Sequence, residues 1–235
     1  MVLKQTILKE LVKNGYSDEN GSKVWSIANT ALWFMTPEMS KAFLKLKEVP
    51  RYKETIIETE IKLLEENITS FLESIKEEKF NLIDMNCTDG EKAKRIIKKL
   101  PKTIKFRYCP VCINDCLINL ASENVKKENF PHIIEHAPRI SPNYETMGEV
   151  GAALRNSIYQ KNVILFLGSL LSSFEINDHL FKLSQTMLPG DLLIIGNGIR
   201  TGQRFTNLET YKHPLFNELF IHLMRLLGFK DNEVE

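Results

Sequence analysis

The spacing of apolar positions along this chain changes near residue 80. Before that point apolar residues recur every three or four positions. Leu3, Ile7, Leu8 and Leu11 form one stripe, and Ile57, Ile61, Leu64, Ile68, Leu72 and Ile75 form another. Such spacing predicts amphipathic helices. The first runs over 2–13 and closes at Asn14-Gly15, and a second is capped by Ser22 and runs through Trp33. A third covers 37–47, opened by Thr36-Pro37, and a long one covers 51–78. On that long helix Glu58, Glu60, Glu65 and Glu66 read as the solvated face.

After residue 80 short continuous apolar runs alternate with helical patterns. Strands are predicted at 80–85, 105–111, 132–137, 162–168 and 191–196, and helices at 90–100, 115–126, 145–159, 175–188 and 215–227. Runs such as Val163-Ile164-Leu165-Phe166-Leu167 suit strands covered on both faces, as in a parallel sheet. Strand and helix in alternation predict a doubly wound, mostly parallel α/β sheet with right-handed crossovers. The expected organisation is therefore a helical cap over 1–78 and a Rossmann-like domain over 79–235.

The segment 80–98 organises the rest. It is an apolar strand ending in Asp84, a polar turn (Asn86, Cys87, Thr88, Asp89) closed by Gly90, and a helix with Ala93, Ile96, Ile97 and Leu100 on one face. Free N–H groups at the start of such a helix point into the crevice at the strand ends, where a nucleoside or amino-acid moiety is bound. In the turn only Gly90 is a glycine. Gly168-Ser169 follows a buried strand, where a glycine lets a ligand lie against the backbone. Asn197-Gly198 marks a turn at the same edge.

Composition narrows the function classes. With 31 Lys and Arg against 30 Asp and Glu, the net charge of +1 gives no footprint for nucleic acid. No apolar run approaches a membrane span, and the charged first residues do not read as a signal peptide, so a cytoplasmic protein is expected. Cys109, Cys112 and Cys116 stand at C-x₂-C-x₃-C spacing, with Cys87 in the first turn. They read either as a thiolate metal site or as buried free thiols. His132, His136, His179, His213 and His222 show no metal spacing. His132 and His136 read as structural.

Six segments, in order, carry a family resemblance. They are Trp33-Phe34-Met35 with Ser40-Lys41-Ala42-Phe43; Val49-Pro50-Arg51-Tyr52-Lys53-Glu54-Thr55 with Glu58; Asp84 to Lys92; Tyr108-Cys109-Pro110-Val111-Cys112-Ile113-Asn114; Phe166-Leu167-Gly168-Ser169 with Phe174; and Pro189-Gly190-Asp191 with Gly196. Together they resemble the histidine-specific, S-adenosylmethionine-dependent methyltransferases, whose best-known members methylate the histidine α-amino group.

The resemblance implies a class I methyltransferase-like Rossmann fold and S-adenosylmethionine as cofactor. It implies cofactor contacts at Asp84, Asn86, Thr88, Gly90, Lys92, Cys112, Gly168 and Ser169. A small amine or amino-acid substrate would lie near Tyr52, Ser173 and Asn197. Several positions depart from the family. Asn86 and Thr88 stand where it has glycines, Cys112 where an acid would hold the ribose, Met35 for a tyrosine, Ser173 for an asparagine, and Gly198 for an acid. The chain stops where the family continues, so it reads as a shortened relative or a fragment. These departures leave three readings: an N-methyltransferase, a non-catalytic methyltransferase-fold protein binding another ligand or partner, or a thiolate metal protein at Cys87, Cys109, Cys112 and Cys116.

Overall fold

The computed structural model describes residues 2–25, 34–73, 79–137, 140, 146–173, 176–198 and 212–233. Five parallel strands form the central sheet: β3 (Phe80–Met85), β4 (Phe106–Val111), β5 (Ile133–His136), β6 (Lys161–Phe166) and β7 (Leu192–Ile195). Their order across the sheet is β5-β4-β3-β6-β7, and β3 pairs in register with both β4 and β6. The chain steps outward from β3 to β5, then crosses back to β6 on the other side of β3. The strand order therefore reverses between β3 and β6, and the crevice outside their carboxyl ends is the binding position of such a sheet. The expected fold is thus observed, with strand bounds shifted by a residue or two.

Both faces of the sheet are covered, as continuous apolar strands require. Phe80, Leu82, Phe106, Tyr108, Val163 and Leu165 point to one face. There they meet Leu64 and Ile68 of α4 (Thr59–Leu72), Ala93, Ile96 and Ile97 of α5 (Glu91–Lys99), and Val125 of α6 (Asp115–Lys127). Ile83, Met85, Cys109, Val111, Ile164 and Phe166 point to the other. They meet Val150 and Leu154 of α7 (Val150–Leu154) and Leu183 of α8 (Ile176–Thr186). At the amino end of the strands a buried amide and guanidinium network replaces apolar packing. Asn81 Nδ2 donates to Asn162 Oδ1 at 2.8 Å, and Arg107 Nε donates to Asn81 Oδ1 at 2.8 Å. The buried Asn81, Arg107 and Asn162 side chains are thereby partnered, as burial demands.

The N-terminal region holds α1 (Val2–Asn14), α2 (Pro37–Lys47), the short α3 (Pro50–Tyr52), a π-helical segment Lys53–Glu58 and α4. Ile7, Met39, Ala42 and Leu46 pack against Phe216, Leu219 and Leu223 of α9 (Pro214–Leu227). The last helix of the chain therefore shares a core with the first ones. Leu64 and Ile68, by contrast, belong to the core of the sheet.

Some expectations are corrected. Ser22 opens a strand and does not cap a helix: β1 (Ser17–Glu19) and β2 (Ser22–Val24) pair antiparallel across Asn20-Gly21. Both turn residues have positive φ, 55° and 82°, the conformation an Asn-Gly hairpin turn requires. The rest of that predicted helix, through Trp33, lies outside the described residues, as do 74–78, Glu145, Phe174 and Glu175. The helix expected over 145–159 is reduced to a 3₁₀ turn, Met147–Glu149, and α7. Asn156 ends it, because its Oδ1 accepts from the backbone N–H of Ile158 and Tyr159 at 2.9 and 2.8 Å, a local bond that competes with helix.

Candidate functional site

At the switch point the turn from β3 into α5 takes up left-handed backbone at three positions, of which only one is a glycine. Asn86, Thr88 and Gly90 all have positive φ, at 55°, 49° and 75°. Asparagine tolerates this conformation, but a β-branched threonine there is strained. Gly90 serves helix packing as well as the turn, since a β-carbon would lie 3.1 Å from the Ala121 carbonyl oxygen of α6.

The turn is tied down from several sides. Asp89 Oδ1 accepts from Lys47 Nζ at 2.5 Å and from the Glu91 backbone N–H at 3.2 Å. Asn124 Nδ2 donates to the Asp89 carbonyl oxygen at 3.0 Å. Lys47, on α2, is itself buried. Burial pushes the Asp89 carboxyl up, but the Lys47 charge and the hydrogen bonds outweigh it, and its pKa lies below the ordinary value.

Asp84, next to last in β3, is buried, its Oδ2 accepting from the Tyr108 hydroxyl at 2.8 Å. Burial raises its pKa to about 6, against the lowering effects of the Tyr108 hydrogen bond and the Lys92 charge. Cys112, just beyond β4, is also buried, with Sγ donating to Asn86 Oδ1 at 3.4 Å. Burial pushes its thiol up to about 11, so it is neutral at ordinary pH.

Across the switch point, Gly168 leaves β6 with φ 73°. Its N–H donates to Glu60 Oε1 at 2.7 Å, while Lys92 Nζ pairs with Glu60 Oε2. Gly196, just after β7, adjoins the same carboxylate, and a β-carbon on it would collide with Glu60. Ser169 N–H donates to the Gly196 carbonyl oxygen at 3.0 Å, and Ser169 Oγ accepts from Gly198 N–H at 3.2 Å. Lys92, Gly168 and Ser169 are thus brought into one cluster around Glu60.

The other expected site residues lie apart from that cluster in kind. Tyr52 packs edge-on against Phe216, with ring centroids 5.7 Å apart. Asn197 is exposed, its Nδ2 donating to the Gly198 carbonyl oxygen at 3.4 Å. Ser173 ends the 3₁₀ turn Leu170–Ser173.

Of the four glutamates expected on a solvated face, Glu66 is exposed, but Glu58, Glu60 and Glu65 are turned to basic partners. Besides Glu60, Glu58 and Glu65 pair with Arg95 at 3.0 and 2.9 Å. Two basic residues on α5 meet acids on the neighbouring helix, which one-dimensional spacing does not reveal. The thiolate grouping does not form either. Cys109 faces one side of the sheet, Cys87 and Cys112 lie in a separate cluster, and Cys116 is exposed. Among the described residues no group of three or more His, Cys, Asp or Glu side chains is arranged to hold a metal. His132 is structural, its Nε2 3.0 Å from the Leu100 carbonyl oxygen. Glu60, Lys47 and Tyr108 are the site residues that sequence reasoning missed. Glu60 carried one usable signal, its place at the border of the Ile57, Ile61 and Leu64 stripe.

A parallel sheet ordered β5-β4-β3-β6-β7, helices on both faces and a crevice at the β3/β6 switch define a class I methyltransferase-like α/β protein. The sequence profile of the histidine-specific, SAM-dependent methyltransferases matches residues 9–209, and the chain belongs to that family. S-adenosylmethionine is the cofactor of the family.

Solved structures to which the chain is similar include the plantazolicin methyltransferase BpumL in complex with SAH, at 15% identity and a TM-score of 0.49, covering 99% of this chain and 76% of that one. The O-methyltransferase TomG from Streptomyces achromogenes, involved in tomaymycin synthesis and solved with SAM, is 11% identical with a TM-score of 0.36, covering 81% and 79%. A putative rRNA methylase from Clostridium thermocellum is 13% identical with a TM-score of 0.34, covering 70% and 80%. Comparison with curated proteins gives no match. Among the described residues no helix is long and apolar enough to cross a membrane.

The donor set suits one end of the cofactor better than the other. A backbone N–H and an ammonium, those of Gly168 and Lys92, already hold a carboxylate, that of Glu60. That is the chemistry an amino-acid end requires. At the end of β4 the buried Cys112 thiol is a poor acceptor for ribose hydroxyls.

Proposed function

We propose that this chain is an S-adenosylmethionine-dependent N-methyltransferase for a small amine or amino acid. The cofactor would be held at the β3/β6 switch point. Lys92 and the Gly168 N–H would take its carboxylate, and the turn 86–90 would lie along it, with Asp84 and Cys112 beneath. Ser169, Ser173, Asn197 and Tyr52 are the candidates on the substrate side. The observation that carries this reading is a carboxylate, that of Glu60, seated on a backbone N–H and a lysine at the place where a doubly wound sheet takes its ligand.

The sulfonium supplies an already activated methyl group, so little is asked of the protein beyond geometry. Its residues hold the acceptor nitrogen in line and keep water out, which converts an encounter into an intramolecular step. No nucleophile or dedicated base is needed once the amine is neutral.

One observation favours a second reading, a non-catalytic relative with the same scaffold. The end of β4 offers a buried thiol against Asn86 where a ribose would want a charged acceptor. Replacing a charge-assisted contact by none costs about 1.5–3 kcal/mol, roughly ten- to a hundredfold in affinity. Titration calorimetry with S-adenosylmethionine and S-adenosylhomocysteine tests the choice. Binding, followed by mass-spectrometric detection of methyl transfer to a panel of amines and amino acids that includes histidine, is the expected result. Absence of heat for both ligands at millimolar concentration removes the enzyme reading and leaves the scaffold.

A further inference from the structure

Glu60 does not sit in the crevice by default. The helix that carries it is preceded by the π-helical segment Lys53–Glu58, and a π turn takes up an extra residue and re-phases the side chains after it. In that phase Glu60 extends over the carboxyl ends of β6 and β7, toward Gly168 and Gly196. Both its carboxylate oxygens are engaged there, Oε1 by the Gly168 N–H and Oε2 by Lys92. The side chains of Glu60 and Lys92 are 16% and 18% exposed, so the pair is largely withdrawn from water. Gly196 lacks the β-carbon that would displace the carboxylate.

An amino-acid ligand presents the same group to the same donors. The single Gly168 N–H can serve only one carboxylate, and a second one brought to the same ammonium would repel the first at close range. We propose that Glu60 is a built-in competitor for the ligand's carboxylate and thereby a specificity-determining residue of this site. Binding of a carboxylate-bearing adenosyl ligand requires Glu60 to leave Gly168 and Lys92, whereas an adenosyl ligand without that carboxylate leaves it in place. The inference rests on the proposed cofactor site. The rival role, Glu60 as acceptor for a ligand ammonium, predicts the opposite effect of removing it.

The test compares S-adenosylhomocysteine with methylthioadenosine, an adenosyl thioether lacking the amino-acid end, by titration calorimetry. Wild type, Glu60→Ala and Glu60→Gln are measured, with Glu65→Ala as a control on the same helix. Each variant's thermal unfolding midpoint verifies folding, and Glu60→Gln keeps the comparison available if the alanine variant is unstable. The preference for S-adenosylhomocysteine over methylthioadenosine, taken within each variant, is expected to rise about tenfold or more on loss of Glu60. It should stay at the wild-type value in Glu65→Ala. An unchanged or reduced preference in folded Glu60 variants that bind both ligands overturns this proposal and leaves the proposed function standing. Absence of binding by either ligand to every variant overturns both.

Discussion

Asp84→Asn probes the centre of the site through the pH dependence of stability. The carboxyl is buried at the end of β3 with the Tyr108 hydroxyl as its partner, and burial moves its midpoint from 3.8 to about 6. Between those two values the folded chain keeps a proton that the unfolded chain has released. Stability from this group is therefore full below pH 3.8 and lost as pH rises through about 6. At about 1.36 kcal/mol for each pH unit of displacement, ionised Asp84 costs the native state about 3 kcal/mol above pH 7.

His179 acts in the opposite direction. Burial lowers its midpoint from 6.5 to about 4. The unfolded chain takes up a proton there that the folded chain refuses, and stability rises with pH over that range. The wild-type curve alone would therefore hide both effects. The difference between Asp84→Asn and wild type isolates the first. Urea unfolding from acid to mildly alkaline pH should show the variant gaining on wild type by about 3 kcal/mol as pH climbs from about 4 to about 7. A pH-independent offset, such as the roughly 1 kcal/mol of a mismatched amide hydrogen bond, does not affect that slope. A difference that stays flat across the range refutes the assignment of a buried, titrating carboxyl at this strand end.

Two other substitutions test the turn 86–90. Lys47→Ala leaves Asp89 partly buried without its cation and should cost about 2–3 kcal/mol near neutral pH by urea unfolding. Because the folded pKa of Asp89 is held down, its contribution is present above the unfolded value and lost as pH falls through the folded one. The deficit of Lys47→Ala should accordingly narrow in acid, and a deficit that grows there contradicts the ion pair. Thr88→Gly removes a β-branched residue from φ 49°. Relief of about 1–2 kcal/mol of left-handed strain, less about 0.5–1 kcal/mol of added chain entropy, predicts a small net stabilisation. A thermal midpoint clearly below wild type would show that the Thr88 side chain contributes more than its strain costs.

The alternation after residue 80 carried the fold. Runs such as Val163–Leu167 are buried on both faces only in a parallel sheet with helices on either side, so composition and period together imply the architecture. The Asn20-Gly21 hairpin was legible too, but the helical period of its surroundings masked it. Asn156, which ends α7, was a weaker signal, since asparagine within a helical pattern is often tolerated. Of the candidate site, the sequence identified the turn after β3 and Gly168-Ser169, both from strand-end chemistry.

What the sequence determined by itself was the alternation of strands and helices after residue 80, apart from the helix cut short at Leu154, because that depends on local period and on caps within a few residues. The family followed from the order of its motifs along the chain. What only the tertiary structure decided was which charges meet: Glu60 with Lys92 and Gly168, Lys47 with Asp89, Glu58 and Glu65 with Arg95. Those partners are separated by about thirty to over a hundred residues and are joined by α4 packing beside α5 on one face of the sheet and by α2 reaching the turn after β3. An ion pair has no period to betray it, so a glutamate bound for a ligand crevice and one bound for water look the same along the chain.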